Sequence, residues 1–400
     1  MSARIDALVN PQMLIWARKK SGLDLVGASK RIGVTPELLQ LWEEDVTYPT
    51  IHQAMKMAEV YRRPLSLFYL DNPPKDFSVS LTDFRRFPGA DGALSLGLLW
   101  EKRHAEIRRE IMIDLSDNEE EGIFQYLNTA SLKDDPEEIA IKIRKWSNID
   151  WGKQRRWKDY SDAFNAWKIA FEQLNILIFQ TSHVGVTFTP EEARGFSIGE
   201  NRFPVIMVNS GDAHGGRIFT LLHEFAHLLL NESGICDCEE YSKTLTVGQR
   251  TETFCNHVAG ATLVPANLLS SQEIVKQHGR NIEWEDEELY NLSGIFSVSE
   301  EVIVRRLLIL GFTTPEFYEQ KRGEYLKRWL EYKDKRRASQ TGMAPYYRLI
   351  LRKNGKPYTR QVFKSFYDKK LTLSDVADYL GVKIKHIGDI EHEIFAGMGG

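Results

Sequence analysis

Cysteine is scarce in this chain, with only Cys236, Cys238 and Cys255 among 400 residues. So small and odd a number excludes a disulfide framework, and the fold must rest on its apolar core. Cys236-Asp237-Cys238 has a single intervening residue. That spacing fits zinc-binding cysteine pairs poorly, and the pair reads as reduced thiols in a loop. No apolar run approaches the roughly 18 residues that span a bilayer. The first residues, Met-Ser-Ala-Arg-Ile-Asp, lack the apolar core of a signal peptide. The expected location is the cytoplasm, with no membrane partner. An excess of one charge is also missing. A net charge of −4 leaves any DNA contact to a local patch. With 42% hydrophobic and 27% charged residues, the chain can build two or three domains with separate cores.

What is present begins with Leu221-Leu222-His223-Glu224-Phe225-Ala226-His227-Leu228-Leu229-Leu230. Helical residues four apart share one face, so His223 and His227 can reach one metal ion. Zinc suits two imidazoles, and Glu224, about 100° around the helix, is placed to take a proton from water. A helix apolar on nearly every side is a buried one. Polar groups inside it are costly unless they are satisfied, and a shared metal satisfies them together. The bland alternative is a trio of hydrogen-bonded core residues.

A catalytic zinc site usually has a third protein ligand. The stretch Thr251 to Pro265 offers Glu252, Cys255, Asn256 and His257 on a rough helical stripe that Pro265 should stop. Glu252 precedes Asn256 by one turn, so both project to one side and Asn256 could orient a ligand. His257 is a rival ligand, and either His257 or Tyr241 could steady an oxyanion.

Arg217 to His227, then Glu252-x-x-Cys-Asn-x-x-Ala ending at Leu263-Val264-Pro265, resembles the ImmA/IrrE metallopeptidases. The upstream Phe203 to Asn209 strand and Asp212 add to this resemblance, which covers about residues 160–310. It implies Zn2+ held by His223, His227 and Glu252, with Glu224 as general base. It also implies a zinc metallo-endopeptidase of narrow specificity that cuts a partner repressor, commonly within its DNA-binding region. The substrate comes from the resemblance and not from spacing. In one respect the chain departs from the family. Where the family has a larger, often aromatic side chain one turn past the asparagine, this chain has Ala259-Gly260.

Residues 11–70 read as five helices: one opening at Met13, then Leu25 to Ile32, Pro36 to Glu44, Ile51 to Tyr61 and Leu65 to Leu70. Gly33-Val34-Thr35 is the turn, with Thr35 as N-cap and Pro36 as first helical residue. The series resembles the Xre/Cro-type helix-turn-helix repressor fold. The recognition helix of that fold, Pro36 to Glu44 here, carries Glu37, Gln40, Glu43 and Glu44 but no Lys or Arg, a handicap for reading DNA. Arg18, Lys19, Lys20, Lys30 and Arg31 could contact the DNA backbone. The other roles open to such a fold are homodimerisation and docking of the substrate.

The expected fold class is α+β and mainly helical. We expect a repressor-like domain over 1–72, a helical connector over 73–160 and a zincin-like peptidase domain with a small sheet over 161–315. A C-terminal helical domain should follow over 316–400. A long charged helix, Gly97 to Leu115, crosses the connector, and Gln154 to Lys158 reads as a solvated basic segment around a buried tryptophan. Leu292 to Leu310 and Leu373 to Lys385 each match helix, turn, helix. The leading expectation is a peptidase that cleaves a repressor or antitoxin-like protein and can bind DNA through its N-terminal domain. Such fusions in this family are associated with phage defence and toxin-antitoxin pairs, and with transcription regulation. The competing account is a non-catalytic, antitoxin-like DNA- or protein-binding regulator with a structural or vestigial zinc site.

Overall fold

The computed structural model describes residues 6–21, 23–61, 63, 65–72, 95–182, 188–231, 247–279, 281–338 and 345–396. These fall into two compact units. One is formed by the described residues before 73 with 95–99, and the other runs from Trp100 onward.

In the first unit, α1 (Pro11–Lys20) opens where Asn10 accepts a hydrogen bond from the Gln12 amide, with proline at the first helical position. Then α2 (Leu25–Ile32) is capped by Asp24 and closed by Gly33 in the left-handed region, at φ 85°. Thr35 caps α3 (Pro36–Glu43) by accepting from the Leu38 amide. α4 (Ile51–Tyr61) follows a reciprocal pair in which Gln53 accepts from the Thr50 amide and Thr50 from the Gln53 amide. Leu14, Ala17, Ala28, Ile32, Leu39, Trp42, Met57, Tyr61 and Phe68 form one core. The expected fifth helix is a 3-10 segment, Leu65–Tyr69. The 3-10 winding is used mostly in short pieces of this kind.

The second unit opens with α5 (Leu96–Asp114), whose first residues belong to the other unit. It continues through α6 (Pro136–Trp146), α7 (Trp151–Gln154) and α8 (Tyr160–Glu172). Three short strands follow, β1 (Leu177–Gln180), β2 (Gly195–Ile198) and β3 (Val205–Val208). The sheet order is β1-β3-β2, with β1 parallel and β2 antiparallel to the central β3. Every strand residue is buried, so both faces are covered. Alternation along the strands sorts the two sides. Ile178, Ile206 and Val208 join the core made with α8. Phe179 meets Tyr358 edge-on at 6.4 Å and lies 4.2 Å beneath the Arg108 guanidinium.

The remaining helices are α9 (His214–Leu230), α10 (Val247–Leu263), α11 (Ala266–Ser270), α12 (Glu273–His278), α13 (Asp286–Phe296), α14 (Glu300–Ile309), α15 (Pro315–Ala338), α16 (Tyr346–Asn354), α17 (Lys356–Tyr367), α18 (Leu373–Leu380) and α19 (Ile387–Phe395). α9 lies on the sheet, α10 packs against both α9 and α6, and α16 docks on β1.

The structure differs from the expected connector. Phe124, Ile139, Ile143 and Ile149 share one core with Leu222, Phe225 and Val258. Residues 100–160 therefore belong to the same compact unit as α9 and α10, because the Ile139 and Ile143 face of α6 is covered by α10. Gln154 is buried and Trp157 packs on the core, while Arg155, Arg156 and Lys158 are solvated. Among the described residues, no helix is long and apolar enough to cross a membrane.

Candidate metal centre

α9 is buried along nearly its whole length, from Arg217 to Leu229. Asp212 accepts from the Ala213 amide at 2.8 Å, and its backbone oxygen accepts from Arg217 Nε at 2.9 Å. These bonds fix the start of the helix. Asn231 ends it in the left-handed region, which asparagine tolerates better than most residues.

One turn apart on α9, His223 and His227 bring their Nε2 atoms to 3.0 Å from each other. Glu252, from the first half of α10, places Oε2 3.3 Å from His223 Nε2 and Oε1 3.3 Å from His227 Nε2. Metal bonds of about 2.0–2.1 Å at tetrahedral angles set neighbouring donors about 3.3 Å apart. The observed spacings therefore fit one small divalent ion, and two imidazoles with a carboxylate are donors that suit zinc. Among the described residues, this is the group of three whose donor atoms could hold a metal ion. His223, Glu224 and Glu252 are fully buried, and His227 is 1% exposed.

Burial and pairing act against each other here. Burial pushes the Glu252 carboxyl up, but His223 and then His227 outweigh it and hold the group down to about 2. For His227, burial disfavours the charged ring, yet Cys255 and Glu252 beside it carry the group well above its ordinary range. Burial raises the Glu224 carboxyl and is only partly offset by His227 and His223. It also raises the Cys255 thiol.

Glu224 lies beside edge strand β2, where the Ser197 hydroxyl favours its charged form. A side chain at Gly195 would stand 2.6 Å from the Met207 carbonyl oxygen, 2.7 Å from Thr220 Cγ2 and 3.4 Å from Glu224 Oε1. The glycine is thus what lets α9 and Glu224 lie so close to the sheet.

The other expected site residues divide. Asn256 is buried one turn after Glu252. His257 does not reach the group, since its Nε2 lies 2.8 Å from Glu137 Oε1 on α6. Tyr241, Cys236 and Cys238 lie outside the described residues. In the N-terminal unit, Arg18 makes a two-pronged pair with Glu43, at 2.6 and 2.8 Å, and ties α1 to α3. Lys19, Lys30 and Arg31 are exposed, and the Lys20 side chain lies outside the described residues. Arg305 and Arg306 of α14 are both buried.

Sequence reasoning missed the support of α10. The last carbonyls of a helix have no partner within it. Here Arg144 donates to Thr262 O at 2.8 Å, Gln154 to Leu263 O at 2.9 Å, and Arg306 Nε to Val264 O at 2.9 Å. Glu137 in turn accepts two bonds from Arg306, at 2.7 and 3.0 Å. Two guanidiniums at a helix C-terminus also complement its dipole. The one available signal was a set of charged residues inside apolar helical patterns.

Residues 171–308 match the family described as IrrE N-terminal-like domain, and residues 14–68 match the helix-turn-helix family. No curated protein and no solved structure matches the chain.

Proposed function

We propose that this chain, which carries an IrrE/ImmA-like peptidase domain behind an Xre-type helix-turn-helix domain, is a zinc-dependent endopeptidase acting on one partner protein. The observation that carries the reading is the spacing of His223, His227 and Glu252 with Glu224 one residue along. Zinc bound there would supply Lewis acidity, polarising a peptide carbonyl and acidifying water. Glu224 takes the proton of the attacking water and returns it to the leaving amine. The resemblance supports a repressor or antitoxin-like regulator as the substrate.

Zinc content by elemental analysis tests the site. Near one zinc per wild-type chain is expected, lost in His223→Ala and Glu252→Ala and kept in His257→Ala. No zinc in any folded sample supplied with the metal would sink the reading. Glu224→Gln should keep the metal and lose cleavage by about 10²–10⁴-fold.

A second reading, a regulator with a structural metal, is favoured by the sealing of all four site residues from solvent. Full complementation in cells by Glu224→Gln would decide for it.

A further inference from the structure

Two helix-turn-helix segments in this chain share one register. In the N-terminal unit, Asp24 caps α2, Gly33 ends it at φ 85°, and the Val34 amide donates back to Ser29 O at 3.0 Å. Near the other end, Thr372 caps α18, Gly381 ends it at φ 65°, and the Val382 amide donates to Ala377 O at 2.9 Å. Each first helix has eight residues between its cap and its glycine. The buried positions repeat as well. Ile32, Leu39 and Trp42 stand at the same steps from Gly33 as Leu380, Ile387 and Ile390 from Gly381. Shared caps, turn and core give 372–395 the same local geometry as the helix-turn-helix within 14–68.

The copies differ in charge where the motif meets DNA. A helix-turn-helix presents the N-terminal end of its second helix to bases and phosphates. In the first copy the exposed positions there are Thr35, Glu37, Gln40 and Glu44. The equivalent positions of the second copy, over a 3-10 turn leading into α19, are Lys383, Lys385, Gly388 and His392, all exposed. Asp389 is the acidic neighbour on that face. Over the motif itself the totals are equal, two Lys and Arg against five Asp and Glu in both 24–47 and 372–395, so the copies differ only in where those charges fall. Attraction to phosphate supplies most of DNA affinity, so lysines at 383 and 385, where the first copy has Thr35 and Glu37, favour the second copy.

We propose that duplex DNA is bound by the C-terminal helix-turn-helix, with Lys383 and Lys385 on the phosphates, and not by the N-terminal copy. The test uses the full chain and a fluorescently labelled mixed-sequence duplex, read by anisotropy over a salt series. Wild type should bind, and weaken steeply with salt. Lys383→Glu with Lys385→Glu should bind at least about tenfold more weakly. The milder Lys383→Gln with Lys385→Gln should flatten the slope of log K against log salt by about two, as expected for two lost phosphate contacts. Both pairs are exposed, so thermal melts should match wild type. If the double charge reversal binds as wild type does while Lys30→Glu with Arg31→Glu abolishes binding, the proposal is overturned. A wild-type chain that binds no duplex at low salt overturns it too, and would make this face a protein-docking surface.

Discussion

At Gly195, the Met207 carbonyl oxygen and Thr220 Cγ2 already occupy the place a side chain would take. Gly195→Ala would force α9 and β2 apart, at a cost of about 1–3 kcal/mol, the usual range for overpacking. The separation falls on the strand that faces Glu224. A urea melt should show the lost stability, and metal content should persist because the three donors lie on α9 and α10. A variant as stable as wild type would refute this account of the glycine. Gly260 is a second case. A Cβ there would lie 3.1 Å from Arg306 Cδ, so the arginine takes the room a side chain at this position would need. His223, Glu224, His227 and Glu252 were legible because helical spacing alone brings the first three together. Glu252 needed the resemblance to separate it from His257. Only the fold turns His257 toward Glu137, a residue 120 positions away.

Among elements, those with local signals were legible and those with distant partners were not. Asp24, Gly33 and Thr35 mark the ends of α2 and α3 in the sequence itself. β2 escaped notice because Gly-Phe-Ser-Ile is short and two of its residues are small. α6 was hidden because its role depends on a pairing 169 residues long, Glu137 with Arg306. That pairing makes the α6–α14 contact pH-sensitive. Burial raises the Glu137 carboxyl, but hydrogen bonds from His257 and Arg306 outweigh it and hold the group down to about 2. A depressed carboxylate stabilises the fold above its unfolded pKa of about 4.3. That stability is lost as pH falls from there through about 2. Glu137→Ala leaves the buried guanidinium uncompensated and should cost about 3 kcal/mol near neutrality. The difference from wild type should shrink in acid denaturation curves below about pH 4. A gap that stays constant with pH would refute the pairing as the cause.

For the whole molecule, the two compact units predict two separable unfolding events. A ligand that binds only folded protein stabilises the unit holding its site. Calorimetry with zinc and then with a strong chelator should therefore move one transition by several degrees and leave the other in place. The stationary transition should belong to the N-terminal unit, which supplies no donor. Joint movement of both transitions would contradict this division. The helix-turn-helix at the N-terminus and the peptidase helices could be read at this scale from the sequence. The membership of residues 100–160 in the second unit could not, because Phe124 and Ile149 meet their partners only across the completed core.

The support at the end of α10 also sets an order of events during synthesis. The chain leaves the ribosome from its N-terminus, and domains generally fold as units once their contacts exist. All the proposed donors have been made by Glu252, yet Val264 O waits for Arg306, and Leu263 O shares Gln154 with Phe296 O. A nascent chain therefore carries its histidines and glutamate well before the helix bearing Glu252 is secured. Assembly of the centre is thus completed only once α14 has been made and Arg306 can reach Val264 O.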